Sequence, residues 1–190
     1  MNLLKFVDHY RGVLVAPPLV FAAVNHSYES DENDILIWSL ALLLFLVGMT
    51  IRVWAQQHLR HRLPGVKMKL TTTGPYALVR NPLYVANTIL CLSLIIASRL
   101  IWLIPFQLLL CATVYSITVR NEEGRLMEKY GQPYKEYTER VPRWFPRLPK
   151  GFSLGYTREY LRASILAEAH NLLLLAPFIV KELVSPWFKH

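Results

Sequence analysis

Residues 35–51 read ILIWSLALLLFLVGMTI. The run carries no charge, and with its flanks it reaches the roughly 20 residues that a helix needs to cross the hydrocarbon core of a bilayer. Similar runs flank it. Leu83 to Val119 contains one charged residue, Arg99, near its middle. Ser98-Arg99 therefore reads as a tight turn between two spans, Leu83–Ala97 and Leu100–Val119, paired as an antiparallel hairpin. Val13–Val24 reads as a first span, tilted or kinked by Pro17-Pro18. Ile165–Val184 is apolar but holds Glu168, His170, Asn171 and Lys181; crossing the membrane is favoured over lying along its surface. The fold expected is all-α: an integral membrane bundle of about five transmembrane helices with a cytoplasmic cofactor-binding segment. It forms a single membrane domain over 1–190, with the first two spans in 1–54, a core in 70–148 and the last span in 165–184.

Charge orients the bundle. The formal net charge is +8, and 53% of residues are hydrophobic. From Arg52 to Arg80 there are six Lys/Arg and no acid, and from Arg120 to Arg162 ten Lys/Arg against six acids. Residues 25–34 carry four acids and no base. Basic and acidic connections that alternate between apolar runs follow the positive-inside rule. They place the N-terminus, 55–82 and 120–160 in the cytoplasm and 25–34 outside, and exclude a nucleic-acid surface as the reason for the charge. Cys91 and Cys111 lie within apolar runs without metal-ligand spacing and read as small buried residues. MNLLKFVDHYRG at the N-terminus is charged and lacks a signal-peptide pattern.

Two polar stretches abut the hairpin. The first is TTTGPYALVRNPLYVANT, Thr71 to Thr88. Gly74-Pro75 makes a turn, Asn81 suits an N-cap, and Pro82 suits the first position of a helix. Capping explains Asn81 and Pro82, but not Arg80 and the two tyrosines beside the lipid. The second is NEEGRLMEKYGQPYKEYTERVPRWFPRL, Asn121 to Leu148. Asn121 can cap a helix with Glu122 and Glu123 in its first turn, and Gly131 and Pro133 would end it. Two adjacent carboxylates at a membrane boundary cost desolvation unless a cation meets them. The hairpin returns Val119 to the membrane face from which Leu83 departs. Arg80 and the Glu122–Glu123 pair are thus brought together as a candidate site.

GPYALVRNPLY followed by EEGRLMEKYGQPYKEYTERVPRWFP resembles the superfamily of isoprenylcysteine carboxyl methyltransferases and phospholipid methyltransferases. Its usual pattern is G-x-Y-x-x-x-R-H-P-x-Y, then E-E-x-x-L, then Y-G-x-x-Y-x-x-Y with a V-P-R ending. The match covers residues 70–148. The resemblance implies an integral membrane enzyme that uses S-adenosyl-L-methionine. It implies cofactor contacts at Gly74, Tyr76, Asn81, Pro82, Tyr84 and Glu122, catalytic roles for Arg80 and Glu123, and no metal. The partners implied are membrane lipids and a lipidic or prenylated acceptor, at a cell membrane with the site facing the cytoplasm. Asn81 departs from the family's histidine, and an amide carries no proton at neutral pH. Two other readings remain: a sterol-reductase-like enzyme using NADPH, which shares a similar arginine–proline–tyrosine elbow, and a membrane scaffold without activity. Elsewhere, His58 and His61 read as parts of a basic loop rather than a metal pair. Glu168 and His170 read as the end of a span or the lining of a substrate path. Trp102, Trp144 and Trp187 read as interface anchors.

Overall fold

The structure is a computed structural model that describes residues 3–25, 34–59, 70–149, 151–154 and 160–184. All regular elements among these residues are helical. In chain order they are α1 (Leu3–Val15), α2 (Pro17–Val24), α3 (Asp34–His58), α4 (Pro75–Leu78), α5 (Pro82–Ala97), α6 (Ile104–Tyr130), α7 (Gln132–Arg140), α8 (Leu161–Glu168) and α9 (Ala176–Val184). Short 3-10 turns precede α6 and join α8 to α9.

Three segments of the described chain are long and apolar enough to cross a membrane: Ile35–His58, Ile101–Tyr130 and Leu161–Val180. Their outer faces expose large apolar side chains, such as Leu36, Leu43 and Leu46 on α3 and Phe106 and Leu109 on α6. An apolar exterior of this kind is stable in lipid and a liability in water. Helix α5 is apolar but has 16 residues. The expected first span is divided in two. Pro17 and Pro18 supply no N–H to the preceding turn, so helical hydrogen bonding is interrupted between α1 and α2 while Ala16 keeps helical dihedrals, φ −76° and ψ −30°.

Helix α5 packs chiefly on α3, and α6 chiefly on α1. The α3–α5 contact is close because Gly48 sits against it: a Cβ there would lie 2.8 Å from Leu90 and 3.2 Å from the Ala86 carbonyl. Helices α5 and α6 run antiparallel, since Tyr84 in the first turn of α5 meets Glu122 late in α6. The turn between them includes Arg99 at φ 64°, a left-handed conformation costly for a side chain with a Cβ.

Two expectations about α6 and its neighbour do not hold. The helix does not restart at Asn121; it continues from Ile104 through Tyr130, so Asn121, Glu122 and Glu123 lie in its interior. Gly124 is carried within the helix, and Gly131, at φ 57°, stops it. Pro133 then lies in the first turn of α7 instead of closing α6. Trp144 is half-buried against the core that holds Tyr84 and Tyr115, unlike Trp102, which is exposed beside Phe21 and Phe106. Trp187 and His61 lie outside the described residues.

Candidate active site

The elbow begins at Gly74, whose φ of 59° turns the chain into α4. A Cβ there would fall 2.3 Å from His58 Nε2, so glycine is also required for space. His58 is buried at the end of α3, and its Nδ1 lies 2.9 Å from Thr73 Oγ1. The Thr71 hydroxyl donates to the His58 carbonyl at 3.2 Å. His58 is thus the base on which the elbow rests.

The other side of the elbow is stitched to the segment after α7. The Arg80 N–H donates to the Pro142 carbonyl at 2.9 Å, and the Arg147 N–H to that of Leu78 at 3.0 Å. The Tyr137 hydroxyl donates to the Tyr76 carbonyl at 2.8 Å. Asn81 occupies the N-cap position of α5, yet its side chain makes no cap; its Nδ2 donates to the Arg143 carbonyl at 3.2 Å. The amide therefore acts as a tie between the two motif blocks.

Charges converge where the blocks meet. Glu123 accepts from Arg143 Nη2 at 2.5 Å and Nε at 3.1 Å, a two-pronged contact, while Arg80 Nη2 lies 3.4 Å away. The Arg80 Nε is buried and has no hydrogen-bond partner among the described residues. A guanidinium left partly unsatisfied beside a cavity is suited to receiving an anion. Glu122 accepts from the Tyr84 hydroxyl at 2.9 Å and has Arg11 at 3.9 Å. Asp8 on α1 pairs with Arg11 at 3.0 Å and with Arg125 at 2.6 Å, which holds α1 against the polar end of α6. Outside the apolar helices, burial and then Glu123 push the Tyr134 hydroxyl up to about 12, and burial, helped by Tyr134, pushes Tyr137 up as well. Both stay protonated donors at neutral pH. The hydrogen bond to Glu123 raises Arg143.

These groups border a cavity of about 650 Å³. Tyr76, Arg80, Asn81, Pro82, Tyr84, Glu122 and Glu123 all line it. Gly74 does not; it stands behind the wall and shapes the turn. The cavity is also lined by Arg11, Arg52, Gln56 and Asn87, which sequence reasoning did not single out. Arg143 was visible as the end of V-P-R but without a role. No local pattern marks Arg52 or Asn87, because α3–α5 packing joins them across 35 positions of sequence.

A chamber with an arginine elbow and a carboxylate pair in its wall, set among helices apolar enough to cross a membrane, defines a class of helical membrane protein. The family model for phospholipid methyltransferase matches residues 36–133, and the chain belongs to that family. It is similar to a nickel-cobalt-cadmium resistance protein, NccN, of Alcaligenes xylosoxydans xylosoxydans: 30% identical over 142 residues, covering 72% of this chain and 62% of that protein. It is likewise similar to a cobalt-zinc-cadmium resistance protein, CzcN, of Cupriavidus metallidurans: 31% identical over 113 residues, covering 57% of this chain and 50% of that one. The chain thus spans between half and two thirds of the length of these curated relatives. No solved structure matches it. Among the described residues, no group of three or more His, Cys, Asp or Glu side chains is arranged to hold a metal ion.

Proposed function

We propose that this chain transfers a methyl group from S-adenosyl-L-methionine to a lipidic or isoprenoid acceptor at the cytoplasmic face of a cell membrane. Five membrane passages with the N-terminus inside would put the cavity on that face, in keeping with the basic connections. The observation that carries the reading is that residues of both motif blocks of a methyltransferase family wall one cavity.

The residues suit the cofactor by their chemistry. About 650 Å³ lies within the usual range for small-molecule sites and leaves room for part of an acceptor. Glu122, already fixed by Tyr84, can accept from ribose hydroxyls or an ammonium group. Arg80 can receive a carboxylate or phosphate oxygen. Tyr76, Asn81 and Pro82 shape the wall. The cofactor supplies an electrophilic methyl on a sulfonium, whose departure leaves a neutral thioether. No residue has to protonate the leaving group. The work of the chain is to align the acceptor, exclude water and balance charge. Glu123 is held by two arginines and so keeps its place in the wall. Where the acceptor is an amine, a carboxylate of the pair can take its proton. Asn81, tied to the Arg143 carbonyl, needs no proton for that role. The relatives' metal-resistance names add no metal ligand to this reading.

The test is to incubate the purified chain with methyl-labelled S-adenosylmethionine and native lipid extract. The expected result is label in the lipid phase, in a species one methylene heavier. Label confined to water-soluble products would refute a lipidic acceptor.

A further inference from the structure

The stretch VPRWFPRLP, Val141 to Pro149, serves the site with one side only. On that side Arg143 clamps Glu123, and the carbonyls of Pro142 and Arg143 accept from the elbow. The other side is bare. Phe145 is 85% exposed and Leu148 74%, and Leu154 just beyond is exposed as well. None of the three lies in a helix. Lipid along a helix flank accounts for the exposed side chains of α3 and α6, but not for these.

The ties of this segment fix the level at which it lies. Trp144 packs against the core cluster that holds Tyr84, in the first turn of α5. The Arg147 N–H bonds the carbonyl of Leu78, just before that helix begins. Further on, the Leu154 carbonyl accepts from Trp54 Nε1 at 3.0 Å, and Phe152 meets the Trp54 ring edge-on. Trp54 stands at the polar end of α3, followed by Ala55, Gln56, Gln57 and His58. The segment therefore runs from the start of α5 to the polar end of α3, where both helices leave the apolar layer. Leu161 then opens an apolar stretch that reaches Val180 and exposes Ile165 and Leu166. Glu168, paired with Arg52, sets that stretch beside the same end of α3. Lipid thus begins where the segment ends.

Its chemistry suits that level. Non-helical backbone at the edge of lipid is costly through its unpaired N–H groups. Pro142, Pro146 and Pro149 have none, and the Arg147 N–H is bonded within the protein. The Arg147 side chain is exposed, and a stem of that length carries its charge to headgroup phosphates while neighbouring apolar groups stay on the lipid side. Glu123 neutralises Arg143, so the segment brings no large positive field, and its seating needs no anionic lipid.

We propose that residues 143–148 form a strap seated in the phospholipid headgroup layer of the membrane that the apolar helices cross, anchored by Phe145 and Leu148. The seating holds Arg143 against Glu123 and the elbow in place beside them, so the order of the chamber depends on the bilayer. The strap does not need the methyltransferase reading; only its effect on cofactor affinity does.

The test uses the full chain in phosphatidylcholine nanodiscs, with a nitroxide label at Phe145→Cys or Leu148→Cys. A label at Leu43→Cys on α3 serves as the lipid reference, and one at Glu139→Cys on the exposed side of α7 as the water reference. Electron spin resonance reads collisions with oxygen, which concentrates in lipid, and with a water-soluble nickel chelate. Labels at 145 and 148 should favour oxygen over the chelate, as the Leu43 label does. Collisions like those of the Glu139 label, or shielding from both reagents as under a protein partner, would overturn the seating. Phe145→Ser with Leu148→Ser removes the anchors and leaves the core intact. Its unfolding midpoint should stay near wild type, and it should bind S-adenosylhomocysteine about tenfold more weakly, as when backbone must be ordered on binding. Phe145→Leu with Leu148→Met keeps the strap apolar and should bind as wild type. Unchanged affinity in the serine variant, or the same loss in the conservative one, would overturn the coupling to the chamber. Lipid-seated labels in a wild-type chain that binds no S-adenosylhomocysteine would fault the methyltransferase reading and leave the strap standing.

Discussion

Two arginines border one chamber and are held in opposite ways. Arg80 on the elbow lies 3.4 Å from Glu123, which makes its shorter contact, 2.5 Å, with Arg143. Arg52 on α3 lies 2.5 Å from a carboxylate that is 1% exposed and that three neighbours share. The elbow arginine is loosely neutralised and surrounded by backbone ties. The deeper arginine is tightly neutralised and ties helices together through side chains alone. The first arrangement favours ligand binding at little cost to stability, and the second carries stability that any function must preserve.

The comparison predicts a graded series. Arg52→Ala strands Glu168 in a buried, apolar setting and should destabilise the fold by about 3–5 kcal/mol. Thermal unfolding in detergent checks this, and a change near zero would mean that the network does not hold α8. Glu122→Ala should weaken S-adenosylhomocysteine binding by about 1.5–3 kcal/mol while the unfolding midpoint stays close to wild type. Unchanged affinity in a folded variant would remove Glu122 from the site. Arg80→Lys keeps the charge and loses the planar fork, so turnover should fall about tenfold or more, roughly 1.4 kcal/mol, with stability retained. Wild-type turnover would reduce Arg80 to a structural cation. Asn81→Asp removes the donor to the Arg143 carbonyl and should cost about 0.5–1.5 kcal/mol of stability. A simple helix cap would tolerate that exchange, since both residues cap well, so a neutral outcome would return Asn81 to a capping role.

What could be read from sequence follows the range of the interactions. The apolar runs are local, and they announced an all-helical membrane chain. The elbow is local too, and Gly74, Pro75 and Pro82 specify it through backbone geometry. Glu122 and Glu123 could be placed near the elbow because an antiparallel return fixes which ends meet. Errors arose where local chemistry was ambiguous. Asn121 is a good cap by type, but nothing before Gly131 stops the helix, and continued backbone hydrogen bonding prevailed. The Arg52–Glu168 pair spans 116 positions and depends on α3, α5 and α8 packing side by side, which no spacing rule encodes. The role of His58 was equally hidden, because its partner is a missing Cβ at Gly74.

The most direct test of the chamber's assignment is calorimetric titration of the purified chain with S-adenosylhomocysteine and, separately, with NADPH. Saturable binding of S-adenosylhomocysteine, weakened in Glu122→Ala, and no binding of NADPH is the predicted result. Saturable NADPH binding with none of S-adenosylhomocysteine would contradict it and give the elbow to reductase chemistry.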